Sequence, residues 1–278
     1  MKKVLCIMDL SSVGRAGLAV VLPALSAAGV QGCGLPAALF STHTGGFGPV
    51  EKLDGAAWGA AALDHYARAG VDFDAVYIGY LYGEGQFALA RQALAQYPKA
   101  LHVVDPALGD AGKAYNGLGA DTVERMLALC SAAQLITPNY TESAMLTGQT
   151  PDTAPPEDAV FAARMDKLAE NGRAVLVTSV PTRSGGFETR GRTAEGRDFV
   201  IPNRHVPVRF PGSGDLLCAA TLGLMLGREL DLEAAARAAT RFVEKAVHTT
   251  HAAGADPRFG LDFEPLLGML ANPDFVLE

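Results

Sequence analysis

From Val4 to Thr178 the chain alternates short apolar runs with longer stretches of helical spacing. That alternation restricts the fold more than any other feature of the sequence. Residues 4–8, 35–40, 75–80, 101–104, 134–137 and 174–178 read as buried strands. Between them, residues 16–28, 56–69, 86–96, 122–130, 141–146 and 158–170 carry helical spacing, and several of these stretches stop at glycine or before proline, as at Gly29, Gly70 and Pro98. Residues 184–209 break the pattern, being polar and rich in Gly and Arg, with short alternating stretches at 187–192 and 199–202 that read as β-hairpins. Three helices are expected to close the chain, at 215–226, 232–249 and 263–270.

Strands alternating with helices predict an α/β fold: a mostly parallel central sheet with helices on both faces and a small hairpin region. All 278 residues are expected to form one domain, without internal repeats. Ligands of such sheets bind outside the carboxyl ends of the strands. Asp9, Asp105, Asn139 and Thr178 each stand at or just past such an end. Parallel strands would therefore gather them along one edge. The glycine-rich stretch 41–48, with Thr42, His43 and Thr44, is long for a tight turn and suits a binding loop.

Composition removes several classes. A net charge of −7 argues against nucleic-acid binding by overall charge, which takes clustered Lys and Arg. The four cysteines, Cys6, Cys33, Cys130 and Cys218, form no C-x-x-C pair and read as reduced thiols of a cytosolic protein. The apolar run behind Lys2-Lys3 is too short for a secretory signal and meets Asp9, and no stretch approaches a membrane span.

The densest chemical signal is Pro211-Gly212-Ser213-Gly214-Asp215, ahead of an apolar, Ala-rich run with helical spacing. A helix N-terminus carries unpaired N–H groups and partial positive charge, and glycines there admit a phosphate. Asp215 suits either a helix cap or a general base beside this anion hole. Asp105 and Glu142 suit Mg²⁺ held through water. The alternatives are a turn-forming Asp before Pro106 for Asp105 and a first-turn acid for Glu142. His43 is either a loop histidine or a ligand contact, and Tyr80 either stacks on an aromatic substrate or joins the core. There is no G-x-x-x-x-G-K-[ST] loop, no G-x-G-x-x-G after the first strand and no G-x-S-x-G elbow. His248 and His251 lack a third zinc ligand.

With these residues in place, the chain resembles the pyridoxal/pyridoxamine kinases of the ribokinase-like superfamily nearly end to end. The resemblance rests on 9–17, Phe40-Ser41-Thr42-His43-Thr44, Gly79-Tyr80-Leu81, 105–110, Thr137-Pro138-Asn139-Tyr140-Thr141-Glu142 and 211–215. It implies a three-layer α/β/α ribokinase-like fold and ATP-dependent phosphorylation of the 5′-hydroxymethyl group of pyridoxal, pyridoxamine or pyridoxine. It makes Asp215 the base, Gly212, Ser213 and Gly214 the anion hole, and Asp105 and Glu142 the residues acting on Mg-ATP, supported by Asn139. Thr137, Thr178 and Pro202, Asn203, Arg204 and His205 would border the nucleotide. Asp9, Ser11, His43, Thr44 and Tyr80 would line the vitamer pocket. Members are typically cytoplasmic homodimers, and many use a monovalent cation such as K⁺. Three positions depart from the pattern. Many relatives have Ser-His at Asp9-Leu10, Asn at Leu18 and, in some, Lys at Thr178. A carboxylate at position 9 would favour the ammonium of pyridoxamine, or face the ring nitrogen all vitamers share, or cap the following helix. A hydroxymethylpyrimidine kinase, a nucleotide-dependent hydrate dehydratase and a non-catalytic ligand-binding homologue are the competing readings.

Overall fold

The computed structural model describes residues 1–278 apart from Gly117, Ala120, His205, Pro207, Pro273 and 276–278. In chain order the elements are β1 (Lys3–Ser11), α1 (Leu18–Ala27), β2 (Gln31–Phe40), β3 (Lys52–Asp54), α2 (Ala56–Arg68), β4 (Ala75–Ile78), α3 (Glu84–Gln96) and β5 (Leu101–Val104). There follow β6 (Gly109–Asp110), β7 (Lys113–Ala114), α4 (Thr122–Ser131), β8 (Leu135–Ile136), α5 (Tyr140–Leu146), α6 (Asp158–Leu168) and β9 (Ala174–Pro181). The chain closes with β10 (Phe187–Arg192), β11 (Asp198–Asn203), α7 (Ser213–Gly227), α8 (Leu232–Ala252) and α9 (Gly268–Ala271).

One nine-stranded sheet runs β11-β10-β9-β8-β5-β4-β1-β2-β3. The run from β9 through β2 is parallel. The margins, β3 at one end and the β10–β11 hairpin at the other, are antiparallel. The strands supply both faces. On β1, Val4, Cys6 and Met8 enter a core built with α1, α7 and α8, while Leu5 and Ile7 enter a second core built with α2 to α6. That period of two is the pleat itself, and it explains why a strand buried on both faces reads as a continuous apolar run.

Chain order reverses at β1, which leads through α1 to β2 on one side and has β4 on the other. Such a switch point is where a sheet of this kind opens a crevice. The register of β1 against β2 shifts there: Met8 pairs with Pro36 and Asp9 with Ala38, leaving Ala37 as the extra residue. A bulge tolerates the proline, which has no N–H for the ladder, and it re-aims the side chains beyond it.

Several boundaries differ from the expected ones. β1 continues through Ser11, so Asp9 lies inside the strand, because Leu10 and Ser11 keep pairing with Leu39 and Phe40. β3 and the two-residue pair β6–β7 have no apolar run to announce them. The helix expected over 263–270 is instead a 3₁₀ turn, Glu264–Leu266, followed by the one-turn α9. Pro265 and Gly268 are poor members of a helix interior. The hairpin region takes the predicted form.

Candidate active site

The polar residues expected at the strand ends converge. A cavity of about 530 Å³ lies outside the carboxyl edge of the sheet, and its wall includes Asp9, Tyr80, Asp105, Asn139, Thr178 and Asp215. His43, Thr44, Thr137, Glu142 and Gly212 to Gly214 line it too. A second cavity, of about 720 Å³, adjoins it and takes in Asn203 and Arg204. Asp110, Ser179, Arg209, Phe210 and Ser213 belong to both walls and form the seam between them. Pro202, on β11, and Ser11 line neither cavity among the described residues. His205 lies outside the described residues.

Asp215 stands in the first turn of α7, and its carboxylate does not cap that helix. Its Oδ2 accepts a 3.0 Å hydrogen bond from the N–H of Gly17, the residue before α1. Gly17 has φ 57°, and a Cβ there would lie 2.4 Å from the Asp9 carbonyl oxygen and 2.8 Å from Asp9 Oδ1. Only glycine passes between the two carboxylates and still presents its N–H to Asp215. Gly212 is equally constrained, with φ 76° and a would-be Cβ 2.0 Å from the Arg15 carbonyl oxygen. A Cβ at Gly214 would meet nothing within 4 Å. The open space is therefore at Gly214, over the first turn of α7, where helix N–H groups lack partners within the helix.

Asp9 is buried, 5% exposed, and accepts a 3.0 Å hydrogen bond from the Ser11 hydroxyl. Ser11 thus acts on the cavity through Asp9. Burial, and then the charge of Asp215, push Asp9 up to about 7, against the hydrogen bond from Ser11. The capping alternative fails, because α1 begins at Leu18 and no side chain caps it. Asp105 follows β5. Its Oδ1 accepts from Thr137 at 2.9 Å and its Oδ2 from Tyr77 at 3.5 Å. Burial and the Asp215 charge raise it, too, to about 7. Burial also raises Asp215 itself, opposed by the Gly17 bond.

Glu142 has a structural task. Its Oε1 accepts from the N–H groups of Leu108 and Gly109, at 3.0 and 3.4 Å, and its Oε2 from that of Asn139, at 2.8 Å. Asn139 Oδ1 accepts from the Glu142 N–H in return, completing a capping box at the start of α5. Burial first and Asp105 second push Glu142 well above the usual carboxylate range. Its Oε1 already serves two backbone donors and its Oε2 one, which leaves a single acceptor site on Oε2. No cluster of three or more His, Cys, Asp or Glu suited to a metal occurs among the described residues, the pair His248 and His251 included. Mg²⁺ asks for less, one or two carboxylates with substrate phosphates and water completing its shell. Asp105, lining the cavity with both oxygens singly bonded, fits that demand.

His43 lines the smaller cavity, yet both ring nitrogens are engaged. Nδ1 accepts from the Gly45 N–H and Nε2 donates to the Arg258 carbonyl. The ring also meets Phe47 edge-on at 5.1 Å, and Phe47 meets Phe259 at 5.3 Å. His43 therefore pins its loop to the segment 257–259 and sets where Thr44 stands. Tyr80 joins an aromatic group with Phe40 and Tyr82, at 6.3 and 6.2 Å, and burial and the neighbouring Asp9 push its hydroxyl up to about 12.

Of the seam, sequence reasoning named only Ser213 as a site residue. Arg209 is the only basic side chain common to both walls among the described residues, and it pairs with Asp110 at 3.1 Å. Its signal was a charge close before a glycine-rich turn, which alone has no direction. Ser179 has φ 56° at a register shift in β9. Nothing in the residues Thr178-Ser179-Val180 announces that geometry.

Comparison with known proteins places the chain among kinases. Residues 11–258 match the model of the phosphomethylpyrimidine kinase family. The chain is 30% identical over 245 residues to the pyridoxal kinase PdxY of Deinococcus radiodurans, covering 81% of this chain and 79% of that one. It superposes with TM-score 0.88 and 32% identity on the pyridoxal kinase of Lactobacillus plantarum, covering 97% and 96% of the two chains. A Bacteroides thetaiotaomicron protein assigned to the phosphomethylpyrimidine kinases and crystallised with pyridoxal superposes with TM-score 0.92 and 29% identity, over 98% and 96%. The chain belongs to the phosphomethylpyrimidine kinase family, together with these pyridoxal kinase relatives.

Proposed function

We infer that this chain is a kinase that transfers the terminal phosphoryl group of ATP to the 5′-hydroxymethyl group of a vitamin B6 vitamer, with the vitamer in the smaller cavity and the nucleotide in the larger. The observation that carries the assignment of roles is the position of Asp215. Its oriented carboxylate lines the smaller cavity, in the same first turn of α7 whose Ser213 lies on the seam between the two cavities. The acceptor hydroxyl loses its proton to Asp215 as it attacks. A base whose affinity for protons burial has raised is better matched to neutral pH than an exposed aspartate. The N–H groups at Gly212 to Gly214 take up the charge spread over the phosphoryl oxygens, with no reorganisation needed at the moment of transfer. Asp105 would hold Mg²⁺ through its water shell, and the ion, when bound, neutralises phosphate charge. Asn139 and Glu142 support that end of the site by fixing the start of α5 and the 108–109 backbone. Thr137 orients Asp105. Asn203 and Arg204 border the nucleotide, and Thr178, on the wall of the smaller cavity, would meet it only at its phosphate end. The larger cavity also has the arginines and the volume for it.

Aromatic Tyr80 and the Asp9 carboxyl face the ring of the vitamer. We propose that Asp9 favours pyridoxamine, whose ammonium would draw this strained carboxyl into its charged form. One sheet carries both cavities, which supports reading residues 1–278 as a single kinase domain. We further propose a homodimer in the cytoplasm. Leu53 and Trp58, 63% and 58% exposed beside the sheet's β3 margin, support an apolar subunit contact. The four free thiols support a reducing compartment. The family's description, phosphomethylpyrimidine kinase, keeps a pyrimidine as the second acceptor class, with hydroxymethylpyrimidine as its alcohol. Incubation with Mg-ATP and a panel of B6 vitamers and hydroxymethylpyrimidine, read by mass spectrometry, decides between them. Phosphorylated B6 vitamer is the expected product. Asp215→Asn is expected to keep nucleotide affinity and lose about 10²- to 10⁴-fold in kcat. Loss of less than threefold removes Asp215 from the role of base.

A further inference from the structure

The two cavities differ in charge. The smaller one is lined by five carboxylates, Asp9, Asp105, Asp110, Glu142 and Asp215, and by only two cationic side chains, Lys113 and Arg209, among the described residues. The larger one has Arg183, Arg204 and Arg209 against Asp110 and Asp152. A polyphosphate entering at the seam carries its charge toward a wall of carboxylates. A positive side chain is needed there, and Arg209 is the one placed to supply it.

Its position is set by the backbone. Arg209 lies three residues before Gly212, so the chain that delivers the α7 N-terminus also delivers this guanidinium. Across the seam, Asp110 is on β6, opposite Lys113 of β7 in a two-strand hairpin. The Arg209 to Asp110 contact is single, 3.1 Å from one terminal nitrogen, with side chains 63% and 40% exposed. An exposed pair of that kind holds weakly. A phosphate offers the same planar donor fork two oxygens and more charge.

We propose that Arg209 is a phosphate-binding residue of the transfer reaction, and that Asp110 is the resting partner which the nucleotide phosphates displace. This rests on the assignment of the larger cavity to the nucleotide, and it does not depend on which alcohol is the acceptor. Released from Asp110, the guanidinium spans the seam and follows the phosphoryl group from donor to acceptor.

Calorimetric binding of ADP and of adenosine to the whole protein tests it, with Arg209→Ala, Arg209→Lys and Asp110→Asn beside the wild type. Arg209→Ala should weaken ADP about 10- to 100-fold, the range for a charge-assisted contact, and leave adenosine within twofold. Arg209→Lys should recover part of the loss. Asp110→Asn should bind ADP at least as tightly as wild type, since it removes the competitor. If Arg209 only tethers the hairpin, Asp110→Asn weakens ADP as much as Arg209→Ala does, and the proposal is overturned. Equal losses for ADP and adenosine, unchanged ADP affinity in Arg209→Ala, or a wild type that binds no ADP overturn it as well. A wild type that binds ADP yet phosphorylates no B6 vitamer refutes the acceptor assignment alone.

Discussion

Replacing Asp9 by Asn should stabilise the unliganded protein, and by an amount that grows with pH. Asp9 is buried beside Asp215, and its carboxyl is held up at about 7 by burial and then by that neighbouring charge. The sign follows from linkage. A carboxyl whose folded value is raised binds its proton more tightly when folded. Its favourable contribution is complete below about pH 4 and is lost as pH rises through about 7. The gap between the ordinary aspartate value and about 7 corresponds to about 4 kcal/mol, at 1.36 kcal/mol per pH unit. Of this, about 2 to 3 kcal/mol falls between pH 5 and pH 8.5. Asparagine keeps the shape and can still accept the Ser11 hydrogen bond, but it never ionises. Equilibrium urea denaturation of wild type and Asp9→Asn at the two pH values measures the effect. The stability of the variant relative to wild type should rise by about 2 to 3 kcal/mol from pH 5 to pH 8.5, equivalent to about 5 °C in Tm for a protein of this size. A difference that stays constant across that range would refute the reasoning, because a pH-independent change is packing or hydrogen bonding rather than ionisation.

Asp9→Ser should lower kcat/KM for pyridoxamine about tenfold or more while sparing pyridoxal, as loss of a charge-assisted contact predicts; equal losses for both vitamers in steady-state assays would move Asp9 to the shared ring nitrogen. Glu142→Gln should cost about 1–3 kcal/mol in chemical denaturation, because its amide must point a donor at one of the N–H groups now served by the two carboxylate oxygens. An unchanged unfolding midpoint would show that the capping box contributes little.

The edge that holds the site was legible because it follows from a simple rule applied to simple runs. Each polar residue at the end of an apolar run, Asp9, Asp105, Asn139 and Thr178, lies on the wall of one cavity. Gly212 and Gly214 were visible as a turn before a helix, though only the structure separates their tasks, the first bound by steric contact and the second left open. Other residues carried no such pattern. β3, β6 and β7 are too short for a period to show, and their register depends on neighbours distant in sequence. Asn139 and Glu142 form a capping box in the structure, where the sequence showed only a first-turn acid, and their chemical reading rested on place alone. His43 read equally as a loop residue or a ligand contact, because its partners Gly45 and Arg258 are a local amide and a carbonyl from the far end of the chain. Arg209 was illegible for the same reason: a charge in a loop acquires meaning only from what stands across from it.

Those readings converge on one electrostatic argument. A sheet that gathers carboxylates at a single edge sets them against one another, and in the unliganded protein the burden shows as the raised values of Asp9, Asp105, Glu142 and Asp215. Packing alone cannot remove it, because burial is its first cause at each of the four. Hydrogen bonds from Ser11, Thr137, Gly17 and the 108–109 backbone offset part of it. What remains must be met by cations arriving from outside or by the few that the chain itself supplies. The chain places its arginines on the walls of the larger cavity and its acids mainly on those of the smaller, with Arg209 between them. The arrangement favours a polyanion on the side of the larger cavity and a cationic or hydrogen-bonding group on the side of the smaller, where Asp9, Asp105 and Asp215 stand, with Arg209 at the seam.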